Sequence, residues 1–167
     1  MTTHLELLWK RLQHLARMAD YLAYSHQQVQ AMLPITDWSA LTAEQHESLA
    51  AFRVRFSDYQ EHLGKTMRTL AIEEETATEP FGAVLAFMEK LGVLDSVEHW
   101  KLIRDLRNAV NHEYEDNPER LAEFFSLLVR ETPTLNAYHQ RLLAFCQASY
   151  RAQTGGTGGP SREPAPP

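Results

Sequence analysis

The sequence predicts an all-α protein, an antiparallel helical bundle of five to six helices. Two observations carry that expectation. Apolar residues recur every three or four positions almost throughout, and no segment alternates with the period of two that a half-buried strand requires. Between the periodic stretches stand residues that start helices, with prolines beside them.

The first helix is expected from about His4 to about Ala31, with Leu5, Leu8, Trp9, Leu12, Leu15, Ala19 and Leu22 on one face and Pro34 beyond its end. LPITDWSAL reads as a connector. Thr42 with Gln45 three residues on forms a capping-box start for a second long helix. Its stripe is Leu49, Phe52, Phe56, Tyr59, Leu63, Met67 and Leu70. IEEETATEP reads as an acidic loop. Pro80 is expected in the first turn of a short third helix that stops at Gly92. Asp95 and Glu98 cap a fourth helix carrying Val97, Trp100, Ile103, Leu106 and Val110. Asn117-Pro118 opens a fifth, and Thr132-Pro133 repeats the device for a last helix through Leu135, Leu142, Leu143 and Phe145. Residues 1–153 are thus one helical domain, and the Gly/Pro-rich residues 154–167 a flexible tail.

With 167 residues, 44% hydrophobic and 23% charged, the chain suits one globular domain with a real core. No run approaches the roughly 20 apolar residues of a membrane helix. MTTHLELLWKRLQHLARM lacks the apolar centre of a secretory signal, and the single Cys146 suits a reducing compartment, so a cytoplasmic location is expected. A net charge of −6 argues against nonspecific coating of nucleic acid, but a few arginines in one cleft can still bind phosphate.

One stretch departs from generic bundle. From Arg104 to Asp116 polar and ionisable groups crowd the end of an amphipathic helix, with only Leu106, Ala109 and Val110 core-facing. At about 3.6 residues per turn, Arg104, Asn108 and His112 line up on one face, where Asn108 can hydrogen-bond the His112 ring and select its tautomer. Arg107 lies about 140° around the helix from His112, so the two reach one phosphate only across a shallow groove or a dimer interface. Cleavage of RNA without a metal needs a group to take the proton of a 2′-hydroxyl, which histidine suits near neutrality. It also needs a donor fork for charge building on phosphate, which a guanidinium supplies. Tyr114 can contact a phosphate or stack on a base. By chemistry alone the stretch also fits a solvated helix end with a histidine near the C-terminal dipole.

The order Arg107-Asn108, three residues, His112, one residue, Tyr114 resembles the signature of the HEPN superfamily, and more narrowly its HepT-like toxin branch. Phe56-Ser57-Asp58-Tyr59-Gln60 with Leu63-Gly64-Lys65 is similar to that branch's second helix. Leu91-Gly92-Val93-Leu94-Asp95, with Glu98 and Trp100, is similar to the segment leading into its motif helix. The likeness spans roughly residues 45 to 145. It implies a helical homodimer acting as a metal-independent endoribonuclease without a cofactor, with Arg107 and His112 as the catalytic pair and Asn108, Asn111, Arg104 and Tyr114 in support. It further implies a minimal nucleotidyltransferase antitoxin as partner, adenylylating Tyr114 and so placing negative charge where substrate phosphate should sit. Asp105, Glu113 and Glu115-Asp116 depart from a phosphate-friendly surround.

Two other functions fit the same residues. One is a non-catalytic HEPN subunit that binds the nucleotidyltransferase. The other is metal binding by some of the eight histidines, but HEYED at 112–116 lacks the second histidine of a zinc motif. His62 and His99 read as packing or surface residues, Cys146 as core filling, and Glu73-Glu74-Glu75 as solvated loop. Trp9, Phe52, Phe56, Trp100 and Phe124 read as core or dimer seam.

Overall fold

A computed structural model describes residues 3–113 and 117–150, apart from the side chains of residues 110–113. It contains α1 (His4–Gln30), a single 3₁₀ turn (Trp38–Ala40), α2 (Ala43–Glu73), α3 (Phe81–Lys90), α4 (Val97–Glu113) and α5 (Pro118–Ser149), with no strand among the described residues. The all-helical bundle is as expected.

Local chemistry sets most helix starts. The Thr42 hydroxyl accepts from the Gln45 amide at 3.1 Å while Gln45 Oε1 accepts from the Thr42 amide at 2.8 Å, the reciprocal pair that satisfies two otherwise orphaned N–H groups. Thr3 and Glu6 form the same pair at the start of α1. Asn117 Oδ1 accepts from the Glu119 and Arg120 amides, with Pro118 in the first turn of α5.

Four expectations about where elements begin and end need correction. No sixth helix begins at Thr132-Pro133, because α5 runs through both residues. Proline has no N–H to offer the carbonyl four residues back. That carbonyl, Val129 O, instead lies 3.1 Å from His26 Nε2 of α1. A carbonyl oxygen only accepts, so Nε2 carries the proton, and a donor from another helix replaces the one proline lacks. The cap of α4 is Ser96, whose Oγ accepts from the His99 amide at 3.0 Å, and Asp95 pairs with Arg141. Pro80 stands just before α3 rather than in its first turn. The acidic loop is shorter than read, since Ile72 and Glu73 belong to α2, and Glu74 accepts the Tyr150 hydroxyl instead of lying free in solvent.

Helix directions follow from paired contacts. His14 meets His62 and His26 meets Phe52, so α1 and α2 are antiparallel. His99 meets Glu131 and Asp95 meets Arg141, so α4 and α5 are antiparallel too. Tyr59 meets His139 and Glu74 meets Tyr150, which makes α2 and α5 parallel. The strictly antiparallel expectation thus holds for these two pairs of sequence neighbours and not for α2 with α5. Short α3 packs on α2 and α4. The core gathers Leu8, Leu15 and Leu22 of α1, Phe52, Phe56, Tyr59, Leu63 and Met67 of α2, Trp100 of α4, and Leu135, Tyr138 and Leu142 of α5. Phe52, Phe56 and Trp100 are therefore core, closed within one chain. Gly64 lies beside the Trp100 ring, where a Cβ would stand 3.4 Å from Trp100 Cζ2, in ordinary van der Waals contact.

Among the described residues no helix is long and apolar enough to cross a membrane. The segment expected as a tail, 154–167, lies outside them.

Candidate functional site

Helix α4 is fixed at one end and presents polar groups at the other. Trp100 and Ile103 are buried, and His99 Nε2 lies 2.8 Å from Oε2 of Glu131, a carboxylate of α5 only 7% exposed. Arg141 Nη1 donates to Asp95 Oδ1 at 2.8 Å, tying the residues before α4 to α5 as well. One turn later the character changes. Arg104 and Arg107 are half-buried, and Asp105 and Asn108 are exposed.

The helix continues through Glu113, so positions 104, 108 and 112 share one face as read from spacing. Arg107 Nη2 and Nε donate to Asn108 Oδ1 at 3.2 and 3.4 Å. The Asn108 oxygen, read from sequence as a partner for His112, is thus engaged by its neighbouring guanidinium. Arg104 Nη2 lies 3.5 Å from Asp105 Oδ1. The structure brings together Arg104, Arg107 and Asn108 of the predicted set. The Asn111 and His112 side chains, and all of Tyr114, lie outside the described residues.

Two grooves meet at Arg107. One, of about 260 Å³, runs between α2 and α4 and is lined by Gln60, Glu61, Gly64, Lys65, Arg68, Phe81, Trp100, Arg104 and Arg107. The other, of about 380 Å³, is lined by Arg53, Val54, Ser57, Asp58, Glu61 and Arg107. Lys65 stands 3.3 Å from Glu61, and Arg68 pairs with Glu79. Arg107 meets no carboxylate among the described residues, and the side chains of Glu113, Glu115 and Asp116 lie outside them. Inspection of the sequence does not single out Arg53 and Arg68, since single cations along α2 carry no motif. Only the packing of α2 on α4 sets them near Arg107. The one available signal is the three- and four-residue spacing of Glu61, Lys65 and Arg68 on one helix face.

Several other ionisable groups belong to the packed interior or its edges. His139 is buried with Nδ1 2.7 Å from the Tyr59 hydroxyl, and burial holds its pKa below the ordinary value. His62 is lowered too, by burial first and by nearby His14 second. His99 has a structural partner in Glu131. Cys146 is fully enclosed, its thiol pushed up to about 12 by burial and then by Glu74, so it is core filling and a poor nucleophile. Among the described residues no three His, Cys, Asp or Glu side chains gather closely enough to hold a metal ion.

The likeness to the HEPN superfamily rests on the residues quoted from the sequence, for comparison of the chain with protein-family models, with curated proteins and with solved structures gives no match.

Proposed function

We propose that the protein is a metal-independent endoribonuclease of the HEPN type, acting as a homodimer and controlled as the toxin of a toxin–antitoxin pair. The observation that carries this reading is Arg107: a half-buried guanidinium with no carboxylate partner among the described residues, at the meeting of two grooves and five residues before His112. In the proposed reaction the substrate's 2′-hydroxyl attacks the adjacent phosphorus while His112 takes its proton. The bond from phosphorus to the 5′-oxygen breaks, that oxygen receives a proton from an imidazolium, and Arg107 neutralises the charge gathered on the phosphate. The products are a 2′,3′-cyclic phosphate and a 5′-hydroxyl. Asn108 orients Arg107, and Arg104 and Asn111 support the site. Tyr114 contacts substrate and is the position that a minimal nucleotidyltransferase would adenylylate.

Unstructured RNA incubated with the protein in EDTA tests the proposal. Cutting that yields cyclic phosphate ends and drops at least a hundredfold in His112→Ala supports it; 3′-hydroxyl ends contradict it. A gain in mass on the Tyr114 peptide after co-expression with a nucleotidyltransferase tests the regulatory part separately.

Asp58 and Glu61 line the groove beside Arg107, and Asp105 lies 3.5 Å from Arg104, so a second reading has its own support. Carboxylates repel a phosphate backbone. On that reading the protein is a non-catalytic subunit that binds the nucleotidyltransferase, and no RNA is cut.

A further inference from the structure

We infer that the groove between α2 and α4 is a subsite for the nucleotide next to the scissile phosphate, with Lys65, Arg68 and Arg104 taking its phosphate and Phe81 its base. This rests on the ribonuclease reading above and adds to it residues of α2 and α3 that lie outside the motif. The groove has two characters. Its floor is apolar: Gly64 carries no side chain, Trp100 is 1% exposed, and the Phe81 ring stands partly open beside them. Its rim carries Lys65, Arg68, Arg104 and Arg107, with Glu61 the one carboxylate among the lining residues.

An inorganic anion would use the rim and leave the floor wet. A nucleotide joins an anion to a flat, largely apolar ring and uses both. Gly64 leaves open the part of the floor where a Cβ would sit in ordinary contact with Trp100 at 3.4 Å and Phe81 at 3.5 Å. Each of the three cations has an acidic neighbour, but these are surface contacts. Lys65 and Glu61 are 51% and 52% exposed, and Arg104 and Asp105 42% and 72%. Such exposed pairs hold weakly, so a phosphate that offers two oxygens to one guanidinium can displace them. Arg104 stands one turn before Arg107, so the two guanidiniums present separate phosphate stations about 4.5 Å apart along the helix axis. A single strand with its bases unstacked suits such a path, whereas a duplex keeps its bases from Phe81.

The test is anisotropy of a labelled oligouridylate titrated with the full chain carrying His112→Ala, so that binding is read without cutting. Lys65→Gln and Arg68→Gln should each weaken binding severalfold and reduce the slope of log affinity against log salt by about 0.7. Phe81→Leu, which keeps an apolar filler, should weaken oligouridylate by about fivefold or more and leave inorganic polyphosphate unchanged. Equal loss for both ligands would overturn the assignment of the base to Phe81. If the wild type cuts RNA while the Lys65 and Arg68 variants bind with unchanged affinity and slope, the subsite is wrong and the ribonuclease reading stands. If the wild type neither binds nor cuts, both fall. Circular dichroism of each variant separates these results from misfolding.

Discussion

In the first half of α4, Trp100 and Ile103 are closed in the core, while His99 and the preceding Asp95 are tied to α5. From Arg104 onward, Arg104 and Arg107 are half-buried, Asp105 and Asn108 are exposed, and among the described residues they pair only with their immediate neighbours. One helix thus carries side chains the fold needs and side chains it does not. Burial and polar contacts to α5 hold α4 in place, and a fixed axis can present guanidiniums at a constant height above a groove. Polar groups held this way without serving stability are candidates for binding.

Four measurements would break or sharpen that contrast, taken from the largest expected effect to the smallest. Trp100→Ala should destabilise the chain by about 3–5 kcal/mol in denaturant unfolding, because it empties the space between α2, α4 and α5. A loss under about 1 kcal/mol would mean that the first half is not the anchor. His99→Ala should cost about 1–3 kcal/mol, since it leaves the nearly buried Glu131 carboxylate without its histidine.

The third measurement is pH dependence. His139 links α5 to α2 beneath the anchored half, and burial lowers its folded pKa below the ordinary 6.5. A base with a depressed folded pKa contributes its stability in full above the unfolded value. That stability is lost as pH falls below 6.5 toward the folded value, where the unfolded chain binds the additional proton. The thermal midpoint should therefore decline in that window, and His139→Gln should reduce the decline, with the lowered His62 accounting for part of what remains. Arg107→Ala should shift stability by no more than about 0.5 kcal/mol while weakening RNA binding and cutting. A large stability loss there would move Arg107 from the offered half to the structural one.

Much of the scaffold is legible in one dimension. The Thr42–Gln45 box, the Asn117-Pro118 start and the stripe from Leu49 to Leu70 each rest on contacts within a few residues, which spacing encodes directly. Arg104, Arg107 and Asn108 were legible for the same reason, as members of one polar stretch within a few residues of each other. Lys65, Arg68 and Phe81 were not legible as a group with them, because their relation to α4 exists only after α2, α3 and α4 pack around Trp100. His99 was legible as a packing or surface residue but not as the partner of Glu131, 32 residues away.

The two proline devices separate the two kinds of information. Asn117-Pro118 and Thr132-Pro133 look alike in sequence, a capping residue followed by proline, and only the first begins a helix. At Asn117 the side chain satisfies two amides of its own first turn, so the sequence alone determines the outcome. At Thr132 the hydroxyl turns back to donate to Leu128 O at 2.8 Å, and His26 of α1 donates to the carbonyl that Pro133 leaves unmatched. The helical class, the caps and the apolar faces follow from the order of residues because their interactions are local. The uninterrupted α5, its parallel course beside α2 and the groove over Trp100 depend on partners brought from distant parts of the chain, and only packing supplies them.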